Sequence, residues 1–143
     1  MAYQFRPDAL ADLVGSAPWS NYVGRPVRIV VEPEPIDKGR LKEIKAGSVR
    51  NSSSPAACYF ELYIGVQSFE GGFIKSHLFS AFTIRKFLAN SYSTTSAMVW
   101  TETKHFPARD EASVPAATQA IRDAFANNVK KFLEKKLGSK NPS

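Results

Sequence analysis

Cys58, Glu61, His77, Glu102 and His105 are the side chains in this chain whose types could do chemistry and whose positions fall on or beside β-type sequence. Two histidines on neighbouring strands could share a face, hold a metal, or pass protons. A third metal ligand would have to come from Glu61, Glu102 or Cys58, and no spacing among them marks a metal site. Glu61 and Glu102 could be paired as glycoside-cleaving acids, but any two exposed acids would look the same. A lone cysteine at the head of an apolar strand reads as a small buried hydrophobe and leaves no intramolecular disulfide. No G-x-S-x-G, G-x-x-x-x-G-K-[ST] or G-x-G-x-x-G occurs, so nucleophile-elbow, phosphate-loop and dinucleotide chemistry find no support. The expected catalytic, metal and cofactor sets are therefore empty. A small enzyme built on His77 and His105 ranks third among the functional readings.

The elements that must position these residues are clearer. Tyr59 to Val66 alternates, with Phe60, Leu62, Ile64 and Val66 expected on one face and Tyr59, Glu61 and Tyr63 on the other. Gly71-Gly72 signals a hairpin. The next strand, from Phe73 to about Ile84, sets Ile74, Leu78, Phe82 and Ile84 against Lys75 and His77. Phe73, Phe79 and Ala81 break the alternation, so its second face should be partly covered. Residues 84–89 read equally as strand or helical turn. Asn90 to Ser96 reads as a polar turn. Ala97 to Phe106 is a further strand, with Met98, Trp100, Glu102, Lys104 and Phe106 opposite Val99, Thr101, Thr103 and His105.

Ser113 and Pro115 then announce a helix from Val114 to Leu137, closed by Gly138. Ala117, Ile121, Ala124, Phe125, Val129, Phe132, Leu133 and Leu137 form a wide stripe that must be buried. Upstream, Pro7 opens a short helix over Asp8–Val14, and Trp19 and Tyr22 are expected over an edge of the core. Val27–Val31 (VRIVV) is the expected first strand, ended by Pro33 and Pro35. Asp37 should cap a short helix that stops at Gly47, with Leu41 and Ile44 as its apolar stripe. Residues 51–55 form a polar loop, expected as a flexible tip. No repeat of twenty to fifty residues is present.

These elements compose an α+β fold: an antiparallel sheet of about four strands, a long C-terminal helix across one face, and a short helix after the first strand. Residues 1–143 form a single domain, with an irregular segment over 1–26 and a flexible tail over 139–143. The apolar content of 43%, with 10 Phe, excludes global disorder. No run reaches the length needed to cross a bilayer, and the N-terminus lacks the pattern of a signal peptide. The chain is soluble, cytoplasmic as written, and periplasmic if a signal peptide has been removed.

The net charge of +6 lies in two places. Lys38, Arg40, Lys42, Lys45 and Arg50 outweigh Asp37 and Glu43. Lys130, Lys131, Lys135, Lys136 and Lys140 outweigh Glu134. The basic patch Lys130, Lys131, Lys135 and Lys136 suits the negative end of the helix dipole. It also supports the alternative of a nucleic-acid-binding protein using segments 38–50 and 130–140. One sheet face has its cover in the C-terminal helix. The other carries Tyr59, Tyr63, Phe73, Lys75, His77 and Phe79, with only the N-terminal segment left to cover it. That face points to a non-enzymatic binding or assembly module acting through a protein–protein interface, homo-oligomeric self-association included, with a bacterial envelope or periplasmic domain as one version.

Overall fold

A computed structural model describes residues 2–3, 5–32, 36–52, 54–71, 76–88 and 91–138. Ala2–Tyr3 (β1) pairs with Ser68 and Gln67 of Tyr59–Gly71 (β2), which continues antiparallel through Ser76–Leu88 (β3) to Ser91–Thr103 (β4). The sheet is thus three long strands in meander order with a two-residue strand at one edge. Pro7–Gly15 (α1), Trp19–Val23 (α2) and Val114–Leu137 (α4) lie together over one face, and Lys38–Ala46 (α3) lies toward the other.

The core side is built by alternation. Leu78, Ser80, Phe82 and Ile84 of β3 are all buried, with Phe60, Leu62 and Ile64 of β2 packed beside them. Val66 does not follow Ile64 and is 62% exposed. Between Ile64 and Gln67 the ladder shifts, so Gly65 and Val66 together oppose Ala81. This bulge inserts one residue and returns Gln67 and Phe69 to the core side. Gly65 permits it, since a Cβ there would sit 3.0 Å from the Ala81 carbonyl oxygen.

Three further expectations change. Residues 84–88 remain strand, because β3 pairs with β4 without interruption from Ser76 to Leu88. The expected turn over 90–96 is strand from Ser91, since its serines and threonines fit a pleated surface as well as a turn. At the other end β4 stops at Thr103, and Phe106 folds back edge-on to Phe69, at 4.7 Å between ring centroids.

The largest correction is upstream. Val27–Val31 is not a strand, so α3 forms without a strand immediately before it. Among the described residues this segment makes no backbone–backbone hydrogen bond. Val27 and Ile29 line a cleft against the α1–α2 turn, and Val30 is 69% exposed. β-propensity needs a sheet edge to act on, and the start of the chain has carried this segment away from one.

The helix α4 has the expected bounds. Phe125 meets Phe5 and Phe82 at 4.9 and 5.9 Å, and Phe132 meets Phe82 at 5.1 Å. Asn128 interrupts its stripe and is fully buried. Its Nδ2 donates to the Leu78 carbonyl and to Ser80 Oγ, and its Oδ1 accepts from Thr101 Oγ1 at 2.6 Å. Ser113 shares a reciprocal capping box with Asp110 at the preceding 3-10 turn, Glu111–Ser113. Trp19 and Tyr22 are buried in the main core rather than over its edge; Trp19 Nε1 donates to the Val14 carbonyl at 2.8 Å. The N-terminal segment therefore packs on the α4 side and does not cover the opposite face.

Candidate functional site

The outer face of the sheet, opposite α4, falls into two halves. The half nearest the start of β2 carries Tyr59, Glu61 and Tyr63, with Thr83, Arg85 and Phe87 beside them on β3. Arg85 is fully buried and meets Glu61 at 2.8 Å. Glu61 also accepts from Tyr59 Oη at 2.6 Å, Tyr63 Oη at 2.7 Å and the Asn51 amide at 2.6 Å. Arg85 donates a second time, to the Val49 carbonyl, and its guanidinium lies over Phe87. Arg50 donates to the Ser54 carbonyl and lies over Tyr59. Residues 47–54 thus form a strap pinned across this half by directional bonds.

Charge in this cluster is fixed by its surroundings. Burial, then the hydrogen bond and charge of Glu61, push the Tyr59 phenol up to about 12 and raise Tyr63 by the same causes. Burial opposes the Arg85 charge, but the Glu61 carboxylate outweighs it and raises the guanidinium above its ordinary range. Tyr59 and Tyr63, expected on an uncovered face, are therefore hydrogen-bonded parts of a closed cluster.

The other half of the outer face has no such cover. Rows across the strands place Glu70, His77 and Glu102 side by side, then Ser68, Phe79 and Trp100. Phe79 lies 6.1 Å from both His77 and Trp100, centroid to centroid. Trp100 and Met98 are each 55% exposed. Where the halves meet, a groove of about 310 Å³ runs between α3 and the sheet, with Leu41 and Lys45 above Tyr63, Gly65, Ala81 and Met98. The small residues Gly65 and Ala81 make its floor.

Phe73 and Lys75 lie outside the described residues. His77 sits on the uncovered half, whereas His105 lies past the end of β4 with φ 65°. No hydrogen bond joins the two histidines among the described residues. Among those residues no group of three His, Cys, Asp or Glu side chains could hold a metal. Cys58 is a half-buried free thiol just before β2. Lys130, Lys131 and Lys135 are exposed on α4 and Lys136 is half-buried, on the opposite layer from α3. Lys131 reaches over to donate to the Trp100 carbonyl at the edge of β4.

No family model, curated protein or solved structure matches this chain. The reading of the site therefore rests on its own geometry. Sequence reasoning missed Met98 and Trp100 as surface residues, although their shared phase with Glu102 was a usable signal. It also missed Arg85, since nothing in the sequence distinguishes a buried arginine from Lys86 beside it. No helix among the described residues is long and apolar enough to cross a membrane.

Proposed function

We propose that the protein is a non-enzymatic binding or assembly module acting through a protein–protein interface on the uncovered half of its outer sheet face. One observation carries this reading. Phe79, Met98 and Trp100 stand together on a rigid strand surface, while the chain closes the other half of the same face with its own residues. Aromatic residues and methionine are enriched at interfaces, and a contiguous apolar patch on a rigid support is where partner contact concentrates. Glu70, His77 and Glu102 supply a polar rim. A bacterial envelope setting is a narrower version, supported by an export signal at the start of the native gene product and opposed by a cytoplasmic start.

The nucleic-acid alternative gains nothing from the arrangement, because α3 and the α4 lysines lie on opposite layers and do not merge into one phosphate-binding surface. The enzyme alternative needs His77, His105 and an acid in one pocket, and neither histidine lines the α3 groove. The test of the leading reading is association measured by sedimentation velocity at micromolar concentration, for the unmodified chain and for Phe79→Glu and Trp100→Glu. Loss of association with an unchanged thermal midpoint is expected. Association that survives both substitutions rules this face out.

A further inference from the structure

Two features of the chain are each half of a β-ladder. β4 is the edge of the sheet and runs thirteen residues with no proline, no bulge and one charged side chain, Glu102. Exposed edges are normally blunted by charges, prolines, bulges or shortness, and this one carries almost none of these devices. Since the Trp100 carbonyl faces outward to Lys131, alternation turns the backbone groups of Tyr92, Thr94, Ser96, Met98, Trp100 and Glu102 outward as well. Val27–Val31 is the converse: β-branched, exposed, and outside the sheet, with no backbone–backbone hydrogen bond among the described residues.

We infer that Val27–Glu32 of one copy adds as a strand to the β4 edge of a second copy. This rests on the outer-face reading and names its partner as another molecule of the same chain. Charge fixes the orientation. On α4, Asp123, Asn127 and Lys131 lie four apart on one side, where Asn127 reaches Thr101 and Lys131 reaches Trp100. The helix therefore runs back along β4. Asp123 and Lys131 are separated by about 12 Å at about 1.5 Å per helical residue. Arg28 and Glu32, on one side of an extended strand, are separated by about 13 Å at about 3.3 Å per residue. Setting Arg28 by Asp123 and Glu32 by Lys131 makes the donated strand run with α4 and antiparallel to β4. Val27, Ile29 and Val31 then fall on the other side, extending the apolar surface of Met98 and Trp100. Pairing of this kind draws affinity from main-chain hydrogen bonds and specificity from alternate side chains. Reciprocal donation closes a dimer; one-way donation builds a chain of copies.

Sedimentation velocity over a concentration series, with Ile29→Pro and Val30→Pro made singly, tests the inference. Consecutive N–H groups point to opposite sides of a strand, so one proline weakens association about tenfold or more and the other less. Asp123→Arg weakens it about fivefold, and adding Arg28→Asp to the same chain restores it. A monomer at every concentration overturns strand donation, as does association indifferent to both prolines. If association survives the prolines but is lost in Trp100→Glu, strand donation falls while the outer-face interface stands. Hydrogen-exchange protection of residues 27–31 in a monomer also overturns it, because the segment is then paired within its own chain.

Discussion

The sheet face under α4 and the face under residues 38–54 are made by the same three strands, yet they are closed by different forces. Beneath α4 the contact is broad and mostly apolar, with Phe82, Phe125 and Phe132 fully or nearly fully buried. Beneath the strap it is narrow and directional, held by the Arg85–Glu61 pair and its bonds to Val49 and Asn51. Apolar burial scales with area and tolerates small displacements. An ion pair with fixed acceptors does not. The α4 side is therefore the source of stability, and the strap side is a cover whose position depends on a few atoms.

The largest effect that tests this division comes from the α4 side. Phe132→Ala should cost about 3–5 kcal/mol, read as a fall in the urea midpoint at constant slope. A cost under about 1 kcal/mol would mean that α4 is not the principal cover. Arg85→Ala should follow, at about 3 kcal/mol, by leaving Glu61 buried without its countercharge. Glu61 keeps three other donors, which places this at the low end of the range for broken buried pairs. The sharper test is the double change Arg85→Met with Glu61→Gln, which should recover most of the loss because no buried charge then remains unpaired.

The contrast also marks what the sequence made legible. The stripe of α4 was readable to its ends, because a wide apolar face at helical spacing has one solution. The inward phase of β3 was readable for the same reason. The Asp37 cap and the Gly47 stop of α3 also stood where local rules place them. The bulge at Gly65–Val66 was not readable, since one inserted residue leaves hydrophobic alternation locally intact while reversing the face of all that precedes it. Val27–Val31 failed differently: its propensity was real, but an edge to pair with is a property of the whole fold. The candidate site was half legible. Phe79 and His77 were placed on the right face, whereas Tyr59 and Tyr63 belong to the closed half because the strap that covers them is polar and irregular.

A smaller effect separates the two buried polar groups. Asn128 is the polar member of the α4 interface, and Asn128→Ala should cost about 2 kcal/mol by stranding the Leu78 carbonyl and Thr101 hydroxyl contacts. Asn128→Leu should cost about as much despite its apolar side chain, if the hydrogen bonds rather than volume set the value. A neutral Asn128→Leu would show that the α4 interface is apolar throughout and that its polar layer only fixes register.

The smallest effect belongs to the strap and is read by pH. Tyr59 is raised to about 12 and Tyr63 is raised with it, both by burial and then by Glu61. A phenol whose folded value exceeds the unfolded value of about 10 keeps its proton longer in the native state. Above that value the unfolded chain binds fewer protons, so stability is whole below pH of about 10 and falls as pH rises toward about 12. Phenolate absorbance should show two tyrosines titrating late, and Glu61→Gln should bring them earlier by removing the carboxylate that opposes their ionisation. Because the strap rests on this cluster and α4 does not, hydrogen exchange should open residues 47–54 in that pH window while the α4 amides stay protected. Simultaneous loss of protection in both regions would show that the two faces unfold as one unit, and that the strap contributes to the global barrier as much as the helix does.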